Sequence, residues 1–276
     1  SDNTEFANCK VVFHGWEHLK HNQIQPWVSE ILDLCGVDMN DVILIDRPMR
    51  FRRLIVPPQA RVCHGPTFRD DYADIFPPRQ RRQTVTATDR SFYISRAKHL
   101  YSGSFAGERR VERRLVAAGF EVVYPEATPL RQMLEKLSGA KRLVFAEGSA
   151  LHNLELCGRI EASTFVIRRR SDAAKNFGPI LDHHTPRWTM SDDAHILGSL
   201  EWCSKKSGPL LSRALSVVDL TSLFAKMSEF FGHSIEAPSA ADCELYMYAD
   251  IGRYLTDQRT MRQGVTTDEQ LGVLIK

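Results

Sequence analysis

The chain alternates short apolar runs with amphipathic stretches from its first residues onward. Lys10-Val11-Val12-Phe13 reads as a strand ending at His14-Gly15. Ile24, Trp27, Val28, Ile31 and Cys35 then recur at i, i+3, i+4, i+7 and i+11, which predicts a helix with one apolar face, stopped by Gly36. Val42-Ile43-Leu44-Ile45 is a buried-strand run closed by Asp46-Arg47-Pro48. Leu54-Ile55-Val56 before Pro57-Pro58, and Arg61-Val62-Cys63 before His64-Gly65-Pro66, read as two further strands.

The second half repeats the alternation more regularly. The expected strands are 91–95, 121–124, 142–146 and 164–167. Between them lie a helix over 108–118, with Val111, Leu115 and Ala118 on one face, and a helix carrying Leu130, Met133, Leu134 and Leu137. A third opens at Gly148-Ser149 and ends near Gly158. Asp219 is placed to cap a helix with Leu220, Leu223, Phe224, Met227 and Phe231 on its face. Ser239-x-x-Asp242 resembles a capping box that starts a last helix. Strand–helix alternation of this kind argues for a parallel, doubly wound α/β sheet, whose ligands bind at the carboxyl ends of the strands.

Residues 77–90 are polar, basic and begin with two prolines, so they read as a linker. That divides the chain into an N-terminal α/β domain over 1–80 and a C-terminal domain over 91–276. With 43% hydrophobic and 25% charged residues, the 276 residues can bury a core. Thirty-six basic against 34 acidic residues leave a net charge of only +2, which gives no case for a nucleic-acid binder. Six scattered cysteines with no C-x-x-C pair fit a reduced, cytosolic protein with buried thiols. No run of 18 apolar residues spans a membrane.

The strongest local signal for chemistry is Val144-Phe145-Ala146-Glu147-Gly148-Ser149-Ala150-Leu151-His152-Asn153. An apolar strand enters a small-residue turn and a helix starts at once, so backbone N–H groups face outward where a phosphate could approach. The plainer reading is a strand-to-helix turn capped by Ser149. Arg96, at the carboxyl end of strand 91–95, could clamp a diphosphate from the same edge of the sheet. Metal chemistry has little support. The sequence contains no Asp-x-Asp, and His14 and His18 are separated by Gly15 with no third ligand evident. His183-His184 reads as a loop pair. The clusters Arg79-Gln80-Arg81-Arg82 and Arg168-Arg169-Arg170 read as solvated charge, with contact to anionic lipid head groups as the alternative.

Taken together, Tyr93-Ile94-Ser95-Arg96, Gly107-Glu108-Arg109-Arg110, Gly119-Phe120-Glu121-Val122-Val123-Tyr124-Pro125-Glu126 and Glu147-Gly148-Ser149-Ala150-Leu151-His152-Asn153 resemble glycosyltransferase family 61, most closely over about residues 91–170. The family runs through strand-Ser-Arg, an Asn-Glu helix start, Gly-Phe-x-Val-x-x-Pro-Glu, a helix, and a (His/Glu)-Gly-(Ala/Ser)-Ala-Leu-x-Asn turn. Gly107 stands where Asn is common, Met133 where Gln is, and Glu147 where His is. The resemblance implies a GT-B-like fold of two Rossmann-like halves, the N-terminal one reduced. It implies inverting, metal-independent transfer from a nucleotide-sugar to a glycan or glycolipid acceptor, with no separate cofactor. Bacterial relatives of this kind serve capsule or lipopolysaccharide assembly, so the expected location is the cytoplasm or the periphery of the inner membrane. Arg96, Glu126, Gly148, Ser149, Ala150, His152 and Asn153 would then hold the donor.

Inverting transfer needs a base for the acceptor hydroxyl. His64 and His14, each at a strand end and followed by glycine, are the candidates, His64 preferred. Glu147 and Glu17 are carboxylate alternatives, and the plainer reading of each histidine is a capping or surface residue. Two rival functions remain: a nucleotide-sugar epimerase or hydrolase on the same architecture, and a non-catalytic sugar-binding subunit.

Overall fold

The computed structural model describes residues 9–14, 24–45, 47–57, 89–100, 103–192, 194–198 and 215–261. It is an α/β protein built around a parallel sheet. Near the N-terminus, β1 (Val11–His14) and β2 (Val42–Ile45) pair in parallel, joined through α1 (Pro26–Leu34). Pro26 occupies the first turn of α1, where its missing N–H costs nothing. The apolar face expected from Ile24 to Cys35 is corrected in detail. Leu32 and Leu34 are the buried residues, whereas Trp27 is 62% exposed and Cys35 is exposed. Leu54-Ile55-Val56 is not a strand. No described strand pairs with it and all three side chains are exposed. Arg61-Val62-Cys63, His64 and most of the 77–90 linker lie outside the described residues.

The main sheet has five parallel strands: β3 (Ser91–Ile94), β4 (Phe120–Val123), β5 (Arg142–Ala146), β6 (Ser163–Ile167) and β7 (Arg187–Met190), in the order β4-β3-β5-β6-β7. All four residues of β3 are buried, as are the last four of β5 and of β6. Both sheet faces are therefore covered, and the sequence shows continuous apolar runs in place of alternation. Successive side chains go to opposite faces. Phe92, Ile94, Leu143, Phe145 and Val166 join one core with α3 (Leu130–Ser138), α4 (Leu154–Cys157) and α5 (Ala173–His184). Tyr93, Val144, Ala146, Phe165 and Ile167 join another with α2 (Glu108–Ala117) and α6 (Leu220–Phe231).

His183 and His184 close α5 and are not a loop pair. His184 is buried and its Nδ1 lies 2.8 Å from the Gly158 carbonyl. After β7 the chain forms an antiparallel ribbon of β8 (Ala194–Gly198) and β9 (Leu215–Val218). Asp219 accepts the Ser222 N–H at the start of α6, and Ser239 accepts the Asp242 N–H at the start of α7 (Ala240–Met261), as the capping pattern implied. Among the described residues no helix is long and apolar enough to cross a membrane. Cys9 and Cys35 are exposed, contrary to the expectation of buried thiols, while burial pushes the half-buried Cys157 thiol up to about 12.

Candidate functional site

The strand order fixes where a ligand can bind. β3 has β4 on one side and β5 on the other, so the connections leaving β3 and β4 run in opposite directions and open a crevice at the carboxyl ends of β3 and β5. A cleft of about 960 Å³ lies there, a normal size for a small-molecule site. Ser95, Arg96 and His99 line it after β3, and Ser149, Ala150, His152 and Asn153 line it after β5. Trp27 and Ile31 of α1 face them from across the cleft. An Asp33–Arg131 ion pair ties α1 to the first turn of α3.

Arg96 is held from below by Glu108. The sequence turns into α2 at Gly107, whose φ of +84° favours glycine, and the Gly107 N–H donates to Asp250 of α7 (2.9 Å). This carries the Glu108 side chain, fully buried, under the end of β3. Its carboxylate accepts the Arg96 N–H (2.6 Å) and the hydroxyls of Tyr93 (2.8 Å) and Ser104, and the Ser95 hydroxyl lies 3.0 Å away. Burial raises the Glu108 pKa, and these donors oppose that rise by favouring the carboxylate. The Arg96 Nε donates to the Gly103 carbonyl (2.9 Å), which turns the guanidinium along Gly148. Burial lowers the Arg96 pKa while Glu108 and Glu147 raise it, and an arginine remains charged under any such balance.

At the end of β5 the expected helix begins as a 3-10 turn, Ser149–Asn153, and only then becomes the four-residue α4. Glu147 is fully buried. One carboxylate oxygen accepts the N–H groups of Arg169 and Arg170 (both 2.9 Å), and the other accepts the Arg170 Nε (2.6 Å). Its carbonyl accepts the Arg169 Nε (3.0 Å). A carboxylate so enclosed does not meet an acceptor hydroxyl. The arginine cluster also departs from expectation: Arg169 is only 3% exposed and Arg170 is largely buried, so these two are not solvated charge. Burial pushes Arg169 down to about 10, with Glu147 opposing. Arg168 is the member of the run that reaches outward, donating to the Asp192 carbonyl.

Two histidine–carboxylate pairs border the cleft. His99 Nε2 lies 3.3 Å from Glu126, and His152 Nδ1 lies 2.7 Å from Glu155. Of the residues singled out in the sequence, Arg96, Ser149, Ala150, His152 and Asn153 come together in one cleft. Gly148 backs Arg96, and Glu126 joins at the rim through His99. His14 ends β1, and His64 lies outside the described residues. Glu155 lines the cleft and was not singled out in the sequence, Trp27 was read only as part of an apolar helix face, and Arg169 and Arg170, read as solvated charge, enclose Glu147 instead. The same strand-end argument that selected Arg96 applies to the arginines after β6.

The model of the family described as Glycosyltransferase 61 matches residues 16–159, from the segment before α1 to the residue after Gly158, just over half of the chain. Among curated proteins none matches.

Proposed function

Because the chain belongs to glycosyltransferase family 61 and is a glycosyltransferase, we propose that the cleft at the β3/β5 switch point holds the diphosphate of a nucleotide-sugar donor, with Arg96 as its principal cation. The observation that carries this is the arrest of Arg96 at the carboxyl end of β3. Its backbone N–H is fixed by buried Glu108, and its side chain, which lines the cleft, is laid along the side-chain-free Gly148. A guanidinium fixed in this way can meet two phosphate oxygens at once. The Ser149–Asn153 turn begins beside it, with backbone donors and small side chains that let an anion approach. His152, Asn153 and Ala150 line the same wall, and Glu126 orients His99 at the rim.

In this reading the C-terminal unit, 91–276, binds the donor and the N-terminal unit, 1–80, presents the acceptor across the cleft. That is a GT-B-like arrangement with a reduced first half, and α1, which supplies Trp27 and Ile31, supports it. The acceptor hydroxyl attacks the anomeric carbon from the side opposite the diphosphate, so the transfer inverts. Arginine and backbone dipoles balance the charge that develops on the leaving diphosphate, so no divalent ion is needed. Family resemblance further supports a glycan or glycolipid acceptor in surface polysaccharide assembly, met at the inner face of the membrane.

Arg96→Ala tests the donor site directly. Calorimetry with UDP, GDP and CMP on the wild type identifies the nucleotide. The variant is expected to bind it more weakly by on the order of 2–4 kcal/mol and to lose transfer, the cost of removing one side of a desolvated charge pair. Unchanged nucleotide affinity would take Arg96 out of the site. Nucleotide release that requires the acceptor separates transfer from the hydrolase reading, and absence of release separates it from the non-catalytic one.

A further inference from the structure

We propose that His152, oriented by Glu155, is the general base that takes the acceptor hydroxyl's proton. The inference rests on the donor reading above and concerns a different atom of the cleft. His152 sits on the 3-10 turn that follows Gly148 and lines the same cleft as Arg96. Its side chain is half exposed to the cleft, while its Nδ1 lies 2.7 Å from an oxygen of Glu155, whose side chain is only 12% exposed. The ring leans on Phe177 of α5, with centroids 5.5 Å apart. A carboxylate accepting from Nδ1–H fixes the neutral tautomer that carries its lone pair on Nε2, and it stabilises the imidazolium once a proton arrives. The apolar contact and the buried carboxylate thus hold the ring, and solvent at the half-exposed edge provides a route for the proton after turnover.

The step balances as follows. The acceptor oxygen forms its bond to the anomeric carbon as the bond from that carbon to the diphosphate oxygen breaks. The bonding pair leaves on the nucleoside diphosphate, beside Arg96, and the hydroxyl proton passes to His152 Nε2. The charged and titratable groups around the dyad are Glu155 on its own segment, His184 of α5, which is electrostatically coupled to Glu155, Arg96 and His99 on the β3 side, and Glu30 on α1. His99 turns its outer nitrogen, Nε2, toward Glu126, which leaves only Nδ1, the nitrogen next to its own backbone, for an acceptor.

The test compares His152→Gln, Glu155→Gln, His64→Gln and His14→Gln. Turnover is read as nucleoside diphosphate release from whichever of UDP-glucose, UDP-N-acetylglucosamine, UDP-xylose and GDP-mannose the wild type uses, with alkyl glycosides as acceptors. His152→Gln is expected to lower kcat by about 10²–10⁴-fold, to keep nucleoside diphosphate affinity within about two-fold, and to abolish the fall of kcat/KM toward acid pH. Glu155 is a positioning residue. Its Gln variant is expected to lower kcat while leaving KM and nucleoside diphosphate affinity within about two-fold, because the carboxylate acts only through the ring it orients. Retained affinity doubles as evidence that each variant is folded. The proposal is overturned if His152→Gln keeps near-wild-type turnover, if its nucleotide affinity falls in step with turnover, or if His64→Gln or His14→Gln removes the acid limb instead. Should Arg96→Ala leave nucleotide affinity intact while His152→Gln still removes the limb, the donor reading fails and the base stands.

Discussion

A single missing side chain sets the position of Arg96. Gly148 has a φ of +170°, extended backbone that any residue adopts, so its backbone conformation does not require glycine. Its surroundings do. A Cβ there would lie 2.9 Å from Cδ and Cζ of Arg96 and closer still to Nη1. The obstructed atoms are the far end of a flexible side chain, which can swing away at little cost to the fold. Gly148→Ala is therefore expected to separate two quantities that usually fall together. Nucleotide affinity should drop at least about ten-fold, about 1.4 kcal/mol, while the thermal midpoint stays close to that of the wild type. Equal affinity for both proteins in calorimetry would show that the guanidinium does not contact the ligand from this position. The residue scale also marks where sequence reading ran short. Arg96 and the Gly148-Ser149 turn were legible because both lie at strand ends. The burial of Arg169 and Arg170 was not, because three consecutive arginines read as solvated unless their carboxylate is known. That carboxylate, Glu147, is 22 residues from Arg169, just past the end of the neighbouring strand.

At the scale of elements, patterns failed where a local rule and a tertiary contact disagreed. His183-His184 reads as a loop pair, with Gly178-Pro179 shortly before it, yet Phe177, Ile180, Leu181 and His184 follow a helical i, i+3, i+4, i+7 spacing and are buried. Packing overrides the local signal, and α5 runs through the proline. Leu54-Ile55-Val56 fails in the opposite sense: three apolar residues before prolines suggest a strand, but no described strand offers them a partner. The end of α5 carries a measurable consequence. His184 is buried, and this burial holds its pKa below the usual histidine value, more than the Gly158 carbonyl on Nδ1 compensates. The sign follows from proton binding. Below the unfolded pKa of about 6.5 the unfolded chain takes up a proton that the folded chain resists, so stability falls as pH falls, and above that pH the group contributes no slope. Urea midpoints measured from pH 7.5 to 5.0 are expected to decline below about pH 6.5, by at most about 1.4 kcal/mol per pH unit from this group. His184→Gln, less stable at pH 7.5, should show a shallower decline. Parallel slopes in the two proteins would assign the acid sensitivity to other groups.

At the scale of the whole molecule, strand–helix alternation foretold a parallel sheet with ligands at its carboxyl edge, because each apolar run must be covered on both faces. The order β4-β3-β5-β6-β7 was not readable, since it depends on which face each helix covers, and the amphipathic faces of α2 and α3 look alike in sequence. That order matters for the chemistry. It brings the end of β3, with Arg96, next to the end of β5, with Glu147 and the Ser149 turn, and places Arg169 and Arg170 behind them at the end of β6. Arg96 is thus fixed at the cleft by buried Glu108, and Arg169 and Arg170 are engaged behind it by buried Glu147, before any ligand arrives. In the proposed donor reading, a cation held in this way stabilises the leaving diphosphate without reorganising, which is the service a divalent ion performs in transferases that carry an Asp-x-Asp. Transfer is accordingly expected to persist, within about two-fold of the untreated rate, after dialysis against EDTA, and added manganese or magnesium should not increase it. A chelated enzyme that loses its activity and regains it with manganese would mean that the arginines do not suffice, and would require a metal-bound diphosphate in this cleft.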